Sequence, residues 1–371
     1  MRGLLGLGRQ PPPLPLFPAA KRASPYATLL RSLRRFLPAS RLLRLLLLLA
    51  ALSLVAPVFF HLRLRRFHRV RPRTSPPFEI SFPSGCVHLS RVGSNFSIAP
   101  CVSQMRERTC GWIASPPMVC AHGGDSANAF PNSMDAFRMA LDARVDCVEV
   151  DVSRSSDGTL FAIHDRDLQR MSGNSTAKVG HWSAHEIKAL STKFQLSRTV
   201  QNQEVPKVED ALALIAQSAR QVILDIKVGP PSFDKGLAED VLSIIKRTNC
   251  TNCVIWSKSD NIGRDVINLS KDVMVGYIVM VDWSTGRRTE LVRIEGAKVA
   301  GVYHTLINGK LMKTMHRNDR KVYAWTVDDS DSMKRMLYEQ VDAIVTSNPS
   351  LLQQLMQEMR TECMEDGIAF A

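Results

Sequence analysis

The feature that most constrains this fold is a regular alternation of short, β-rich apolar runs with amphipathic helix-like segments after residue 117. Such alternation is typical of parallel sheets whose successive strands are joined by helices. Over about 240 residues it predicts a single-domain (β/α)8 barrel, the TIM barrel, with a doubly wound open sheet as the rival fold. The predicted strands are 118–122, 147–152, 160–165, 222–227, 253–258, 273–279, 297–304, 322–327 and 343–347. This is one strand more than the barrel needs, so at least one is predicted to be a hairpin arm or an extra edge strand.

The positive charge of the chain is concentrated in its first part. The net charge is +13, yet residues 1–78 hold 15 of the 48 Lys and Arg residues and no Asp or Glu, the first acid being Glu79. The remaining 33 basic residues face all 35 acidic ones, which leaves the body at −2. A nearly neutral body gives no electrostatic basis for binding DNA or RNA, so no nucleic-acid partner is predicted. No protein partner is evident either.

An apolar run of sixteen residues, 45–60, lies inside this basic leader. Extended by Leu42 and Leu43, it is long enough for an uncleaved signal anchor, so we predict one transmembrane helix before the barrel. Arg-rich, acid-free leaders are also typical of plastid or mitochondrial transit peptides, which is the alternative. The predicted organisation is a basic tail at 1–41, the transmembrane helix at 42–60, a stem at 61–115, the barrel at 116–360 and a C-terminal tail at 361–371.

Two features favour a barrel on the lumenal or extracellular side of that membrane. Arginines flank the apolar run on both sides and so give no orientation. The cysteines are one indication, because two of Cys86, Cys101 and Cys110 could form a disulfide in an oxidising compartment. The other is a set of four N-glycosylation sequons, at Asn95, Asn174, Asn249 and Asn268.

The remaining cysteines are weaker signals. Cys120 and Cys147 fall inside apolar strand-like runs and are predicted to be core residues. Cys250 and Cys253 have the spacing of half a zinc or redox motif, but no second pair follows. A chance spacing or a local disulfide is therefore the preferred interpretation.

Three carboxylates are placed where a barrel would bring them together. Glu149 and Asp151 are two residues apart in the strand CVEVDV, so both side chains point to one face. Asp225 lies near the C-terminal end of the strand VILDIK, the end at which barrel enzymes keep their chemistry. Buried carboxylates stay ionised together only with a cation between them, and oxygen ligands suit Mg²⁺ or Ca²⁺. The sequence predicts such a metal site; an outward-facing acid paired with Lys or Arg is the alternative.

Two histidines, His122 and His164, end two predicted strands. Their side chains suit an arrangement in which one takes a proton while the other gives one, as cleavage of a phosphodiester requires. Lys227, two residues after Asp225 on the same face, is predicted to neutralise a nonbridging phosphate oxygen. A strand-end histidine can also be purely structural.

These segments resemble the glycerophosphodiester phosphodiesterase family in order and rough spacing, and the chain is similar to plant members with an N-terminal membrane segment. The resemblance covers about residues 117–357 and rests on MVCAHGG with PNS, CVEVDVSRSSDGTLFAIHD, VILDIK, VYAWTVDD and AIVTSNPSLL. It implies a phospholipase-C-like TIM barrel that hydrolyses glycerophosphodiesters, such as glycerophosphocholine, to sn-glycerol 3-phosphate and an alcohol. A divalent metal and a role in phospholipid turnover are implied with it.

The resemblance also implies a role for each matching residue. Asp225 stands where the family usually has glutamate, and Trp325 would lie near the glycerol end of the substrate, although barrel packing explains Trp325 equally well. The implied site consists of the catalytic pair His122 and His164, the metal ligands Glu149, Asp151 and Asp225, and the substrate-binding residues Lys227, Trp325 and Gly123.

Two departures from the family fall between the first strand and the first helix. The family's His-Arg-Gly is here His122 followed by two glycines, so an arginine that would bind phosphate is absent. Its Pro-Glu-Asn-Thr box has Pro131 in place of the glutamate. Asp125 and Asn132 carry oxygen atoms that could lie near the metal. Two further functions therefore stay open: a weak or inactive membrane-anchored barrel that binds phosphodiesters, and an enzyme like lysophospholipase D.

Overall fold

The structure is a computed structural model, and it describes residues 109–198, 204–282 and 284–365. The predicted membrane segment at 42–60 lies outside these residues, as do Asn95, Cys86 and Cys101. Within the three described ranges, no helix is both long and apolar enough to cross a membrane.

Eight parallel strands close into a barrel, which confirms the predicted fold. The first strand pairs with both the second and the last, so the parallel sheet closes on itself and the doubly wound sheet is excluded. The ninth strand of the described residues, β3, pairs antiparallel with β2 and is the predicted hairpin arm. The strands are β1 (Met118–His122), β2 (Cys147–Arg154), β3 (Leu160–Ala162), β4 (Gln221–Lys227), β5 (Cys253–Ser257), β6 (Met274–Val279), β7 (Val299–Tyr303), β8 (Lys321–Trp325) and β9 (Ala343–Thr346).

Amphipathic helices connect most of these strands. Between β6 and β7, none of the described residues forms an α-helix. The helices are α1 (Met134–Asp142), α2 (Asp165–Ser172), α3 (Ala184–Arg198), α4 (Val208–Ile215), α5 (Leu237–Arg247), α6 (Asp260–Leu269), α7 (Gly309–Arg317), α8 (Ser330–Tyr338) and α9 (Pro349–Glu365).

The strand residues alternate between two separate apolar cores. Val148 and Val150 of β2 belong to the outer core, which lies between the sheet and the helices. Cys147 and Trp256 belong to a second core inside the barrel. Because successive strand residues point to opposite faces, Glu149 and Asp151 share the inner face with Cys147. The polar site is therefore built on the same face as the inner core.

Cys120 and Cys147 were predicted as core residues, and both are fully buried. The expectation that they are plain core residues is wrong, because they form a disulfide inside the barrel. The parallel register of β1 and β2 sets the two residues opposite each other, with Cα atoms 4.5 Å apart. The sequence did not reveal this register.

Two further disulfides join described cysteines. Cys250 and Cys253 form the local disulfide that was one of the two preferred interpretations. Two of Cys86, Cys101 and Cys110 were predicted to form a disulfide; Cys110 is not one of that pair, because it bonds to Cys363 on α9, 253 residues away. Cys86 and Cys101 lie outside the described residues, so a disulfide between them stays a prediction. Helix α9 contacts β1, so the last helix and the segment before the first strand meet at one place on the barrel.

The Cys110–Cys363 disulfide is expected to stabilise the barrel more than the Cys250–Cys253 disulfide does. A cross-link that closes a long loop removes more conformational entropy from the unfolded chain than one that closes a short loop. Replacing Cys110 and Cys363 with serine should lower the free energy of unfolding by about 2 to 4 kcal/mol, measured by urea denaturation. The Cys250→Ser/Cys253→Ser protein is the control, and an equal loss in both proteins would contradict this explanation.

Gly124, the second glycine after β1, allows the loop to approach α1 closely. A Cβ atom at this position would lie 2.5 Å from the backbone carbon of Ala136, and the φ angle is +80°. Gly124→Ala should therefore cost about 3 kcal/mol of stability, from both the clash and the left-handed backbone. Gly158 also has a positive φ, +87°, but its Cβ would meet nothing within 4 Å. Thermal unfolding of Gly158→Ala, in which only the left-handed backbone is strained, separates that strain from the clash. Equal losses of stability in Gly124→Ala and Gly158→Ala would mean that the clash costs nothing.

Candidate active site

The strand register brings the predicted polar residues together at the C-terminal end of the barrel. His122 on β1 is paired in register with Glu149 on β2. Further along β2, Asp151 is paired with Asp225 on β4. One carboxylate oxygen from each of the three acids lies within 4.8 Å of the others. All three predicted metal ligands therefore face one point.

Lys227 holds two of these acids together. Its Nζ lies 2.6 Å from Oδ1 of Asp151 and also forms an ion pair with Oδ2 of Asp225. Burial would lower the pKa of Lys227, but the surrounding carboxylates raise it well above its usual value. Lys227 is therefore charged, and its charge is directed at the acids.

If all three acids are ionised, they carry more negative charge than one lysine neutralises. Burial, and then repulsion by Asp151, raise the pKa of Glu149 well above its usual value. Burial would do the same to Asp151, but Lys227 and the histidines hold its pKa well below the usual range. Oδ1 of Asp225 is buried and accepts no hydrogen bond from any described residue. A divalent cation fits this set, because it would neutralise the excess charge and supply the missing partner.

Asn132 fixes the orientation of Asp151. Its Nδ2 donates to Oδ2 of Asp151 over 2.8 Å, and its Oδ1 accepts from the Asp151 backbone N–H over 2.9 Å. The side-chain oxygen of Asn132 is thus used to orient a carboxylate. Asp125, the other residue considered as an oxygen donor, has both carboxylate oxygens bonded to Nδ2 of Asn128. The spacing of the PNS motif did not reveal this arrangement.

Gly123 orients Glu149 in a similar way. Its backbone N–H lies 2.9 Å from Oε2 and 3.0 Å from the backbone carbonyl of Glu149. Its φ angle is +62°, which a glycine adopts without strain. This contact uses only the backbone, so Gly123 positions a carboxylate without a side chain.

The two histidines both lie near Asp151. Burial lowers the pKa of His122, and it lowers the pKa of His164 to about 4. The negative charge of Asp151 opposes both shifts, so both rings lie close to this carboxylate. Without a ligand, both imidazoles are therefore neutral near pH 7.

The ring atoms of the histidines differ in their contacts. Nδ1 of His164, the N-cap of α2, accepts a hydrogen bond of 3.1 Å from the Arg166 backbone N–H. This leaves Nε2 of His164 as the atom that carries the proton and is able to exchange it. The His122 ring makes no hydrogen bond with any described residue, although its backbone carbonyl accepts one from Ser126.

An aromatic pair lies on the other side of the barrel from Lys227. Trp325 ends β8, which is four strands from β4 in the barrel order. Its ring centroid is 5.6 Å from that of Tyr303, at the end of β7. Trp325 also packs against the inner core, and its buried Nε1 has no hydrogen-bond partner among the described residues. Trp325 therefore packs in the barrel interior, which was the alternative to a substrate-binding role. It also lies at the C-terminal end of the barrel, as the acids do.

Two basic residues near the site were not among the predicted site residues. Nη2 of Arg166 lies 3.9 Å from Oδ2 of Asp151. Lys258 directly follows β5, and its pKa is lowered by burial and then by Lys227. Arg166 lies two residues after His164, in the motif IHDRD, and that closeness was the only sequence signal for it.

The comparison with known families agrees with this geometry. The family model described as the glycerophosphoryl diester phosphodiesterase family matches residues 122–351, which is more than half of the chain. The chain belongs to the glycerophosphoryl diester phosphodiesterase family. The match begins at His122 and includes both histidines, the three acids and Lys227.

Named relatives extend over most of this phosphodiesterase chain. The glycerophosphodiester phosphodiesterase GDPD4 of Arabidopsis thaliana is 55% identical over 268 residues, which are 72% of this chain and 82% of the relative. The glycerophosphodiester phosphodiesterase of Caldanaerobacter subterraneus is 28% identical over 65% of this chain and 98% of its own length. A phosphodiesterase of Oleispira antarctica, solved in complex with the product sn-glycerol-3-phosphate, shares the fold, with a TM-score of 0.52 and 20% identity. That match covers 65% of this chain and 97% of the other.

The two departures from the phosphodiesterase motifs lie close to each other. A Cβ atom at Gly123 would lie 3.3 Å from Asn132 and 3.4 Å from Cβ of Pro131. A larger residue at position 123 would therefore press on the segment that orients Asp151. Because of this contact, replacing Gly123 alone by arginine is not a clean test of whether the lost arginine matters.

Proposed function

We propose that this chain hydrolyses glycerophosphodiesters, such as glycerophosphocholine, to sn-glycerol 3-phosphate and an alcohol, with Mg²⁺ or Ca²⁺ bound at the three acids. The observation that carries the proposal is the convergence of Glu149, Asp151 and Asp225 within 4.8 Å, beside two neutral histidines. A binding barrel without turnover would not need this pair of proton-transferring groups.

The chain's own residues divide the work of binding and proton transfer. His122 and His164 exchange protons with the attacking and leaving oxygens, and Nε2 of His164 is the atom free to do so. Asn132 and the Gly123 backbone hold two acids in place. Trp325 and Tyr303 bound the opposite side, where the glycerol or alcohol part lies against their rings. The metal, when bound by the three acids, would neutralise charge on the phosphate and polarise its phosphorus–oxygen bonds.

The direct test is release of sn-glycerol 3-phosphate from glycerophosphocholine by the full-length protein. We expect release with Mg²⁺ or Ca²⁺ and none after chelation. Using several diesters in the same assay identifies the alcohol that is preferred. Tight metal-dependent binding of the diester with no turnover would instead favour the binding barrel, and hydrolysis of lysophosphatidylcholine alone would favour an enzyme like lysophospholipase D.

We also propose that residues 42–60 anchor the chain in a membrane, with the barrel on the lumenal or extracellular side. The three disulfides among the described residues support an oxidising compartment. Asn174, Asn249 and Asn268 are exposed, as glycosylation requires. Protease protection of a C-terminal tag in sealed vesicles and a mass shift on deglycosylation are the expected results. Cleavage of the tag from the cytosolic side, or import into plastids or mitochondria, would overturn this topology.

A further inference from the structure

Lys227 was predicted to neutralise a phosphate oxygen, but its charge is already used in the structure. Its Nζ pairs with both Asp151 and Asp225, and its side chain is only 21% exposed. A phosphodiester anion that enters this site approaches three acids, and so needs a cationic side chain whose hydrogen-bond donors are not already used by them.

Arg166 meets this need. Its side chain is 51% exposed, and its only ion pair among the described residues is the long 3.9 Å contact with Asp151. The guanidinium donates no hydrogen bond to any described residue, so its fork of donors is available. Its charge also lowers the pKa of both His122 and His164, which places the guanidinium near both rings.

The backbone of Arg166 is held in place by the site itself. Arg166 lies in the first turn of α2, and its N–H donates to Nδ1 of His164, the N-cap of that helix. The same short segment thus carries a proton-transferring ring and a free guanidinium. A guanidinium is a planar group with several N–H donors, and it can donate to two phosphate oxygens at once.

Lys258 offers a second cation, but with a different placement. It follows β5 on the far side of β4 from β2, and it forms no ion pair or hydrogen bond with any described residue. It contributes to the positive potential of the site and interacts with Asp151 only through its charge, with no ion pair to Asp151 and no hydrogen bond to either histidine. Substituting Lys258 therefore shows how much substrate binding depends on the overall positive charge of the site, as distinct from a direct contact with the phosphate.

We propose that Arg166 is the residue that binds the phosphate group of the substrate, by donating from its guanidinium to nonbridging oxygens beside His164. This proposal rests on the proposed function, since it names a contact within that active site. The phosphate-binding arginine of the site then comes from the first turn of α2. The loop after β1, where the family has an arginine, carries Gly123 instead.

The test compares Arg166→Gln with two other charge removals. Arg264 on α6 is the matched control, because its side chain is also 51% exposed and also makes one long ion pair. We expect Arg166→Gln to weaken binding of sn-glycerol 3-phosphate about 10- to 100-fold, measured by calorimetry with Mg²⁺ or Ca²⁺ present, and to raise KM by a similar factor. Arg264→Gln should change neither value, and Lys258→Gln should change them less than about 3-fold.

Chemical rescue gives a second readout that a purely structural role would not produce. With Arg166→Ala, added guanidinium ion should restore part of the binding and turnover, while the same concentration of sodium chloride should not. Equal binding by Arg166→Gln and the wild type overturns the inference, as does an equal loss in Lys258→Gln. If the wild type hydrolyses the diester and Arg166→Gln is unaffected, the inference fails and the proposed function stands. If the wild type binds sn-glycerol 3-phosphate through Arg166 without turnover, the proposed function fails and the inference stands.

Discussion

Replacing His164 with alanine is expected to lower kcat of the full-length enzyme by about 10³-fold, and replacing His122 should have an effect of similar size. General acid–base catalysis by a placed side chain contributes about 10² to 10⁴ in rate, and no other described histidine lies beside the three acids. Because the rings exchange protons in the transition state, the loss should appear in kcat more than in KM. Initial rates over a range of glycerophosphocholine concentrations separate these two parameters.

His316 is the control for this prediction. It pairs with Asp342 through Nε2 over 2.9 Å, at the other end of the barrel, where Asp342 accepts from the backbone N–H of Val322. His316→Ala should leave kcat within about 2-fold of the wild type, since the ring is far from the acids. The assignment of the histidines would be wrong if His164→Ala and His122→Ala kept the wild-type kcat while folding normally.

The second large effect is expected from the acids. Asp225→Asn keeps the shape of the side chain but removes a charge from the metal site, as Glu149→Gln does. Loss of the metal should reduce kcat/KM by at least about 10³-fold, because the metal contributes several kcal/mol of charge stabilisation. Calorimetry should show that neither variant binds Mg²⁺ or Ca²⁺ with the affinity of the wild type.

Thermal unfolding distinguishes a lost metal site from a damaged fold. Metal binding to the folded state raises Tm, so Mg²⁺ or Ca²⁺ should raise Tm of the wild type but not of Glu149→Gln. Without metal, Tm of this variant should match or exceed that of the wild type, since the substitution removes a carboxyl whose ionised form is disfavoured by burial and then by repulsion from Asp151. Asp319→Asn, an exposed acid that pairs with Lys298, is the control and should retain the metal-induced rise. A rise of equal size in Glu149→Gln would place the metal elsewhere.

The sequence predicted the elements and the shared face of the acids because these depend on local periodicity. Alternation of apolar residues defines each strand, and a separation of two residues sets Glu149 and Asp151 on one face. The pairing of Asp151 with Asp225 needed the closed parallel sheet, which the order of the elements made the preferred fold. The identity of β3 as a hairpin arm was not predictable, since its apolar run looks like any other strand.

The contacts that depend on register or on loop conformation were not predictable. The Cys120–Cys147 disulfide follows from a register that places the two residues opposite each other, and the Cys110–Cys363 disulfide joins residues 253 positions apart. Asn132 reaches Asp151 only because the loop after β1 turns back, with a left-handed residue at Asn132 itself. Whether the Arg166 guanidinium is free to bind a ligand likewise depends on where α2 begins, and the motif IHDRD does not define that residue.

Titration of the metal-free, full-length protein with Mg²⁺ or Ca²⁺ tests the central claim most directly, with release of sn-glycerol 3-phosphate from a glycerophosphodiester as the signal. We expect no release without metal, and a rate that rises and saturates as one metal ion binds per chain. The same titration of Glu149→Gln should stay near the background. Equal rates with and without metal, or a saturating rise that Glu149→Gln retains, would contradict a metal-dependent phosphodiesterase built on these three acids.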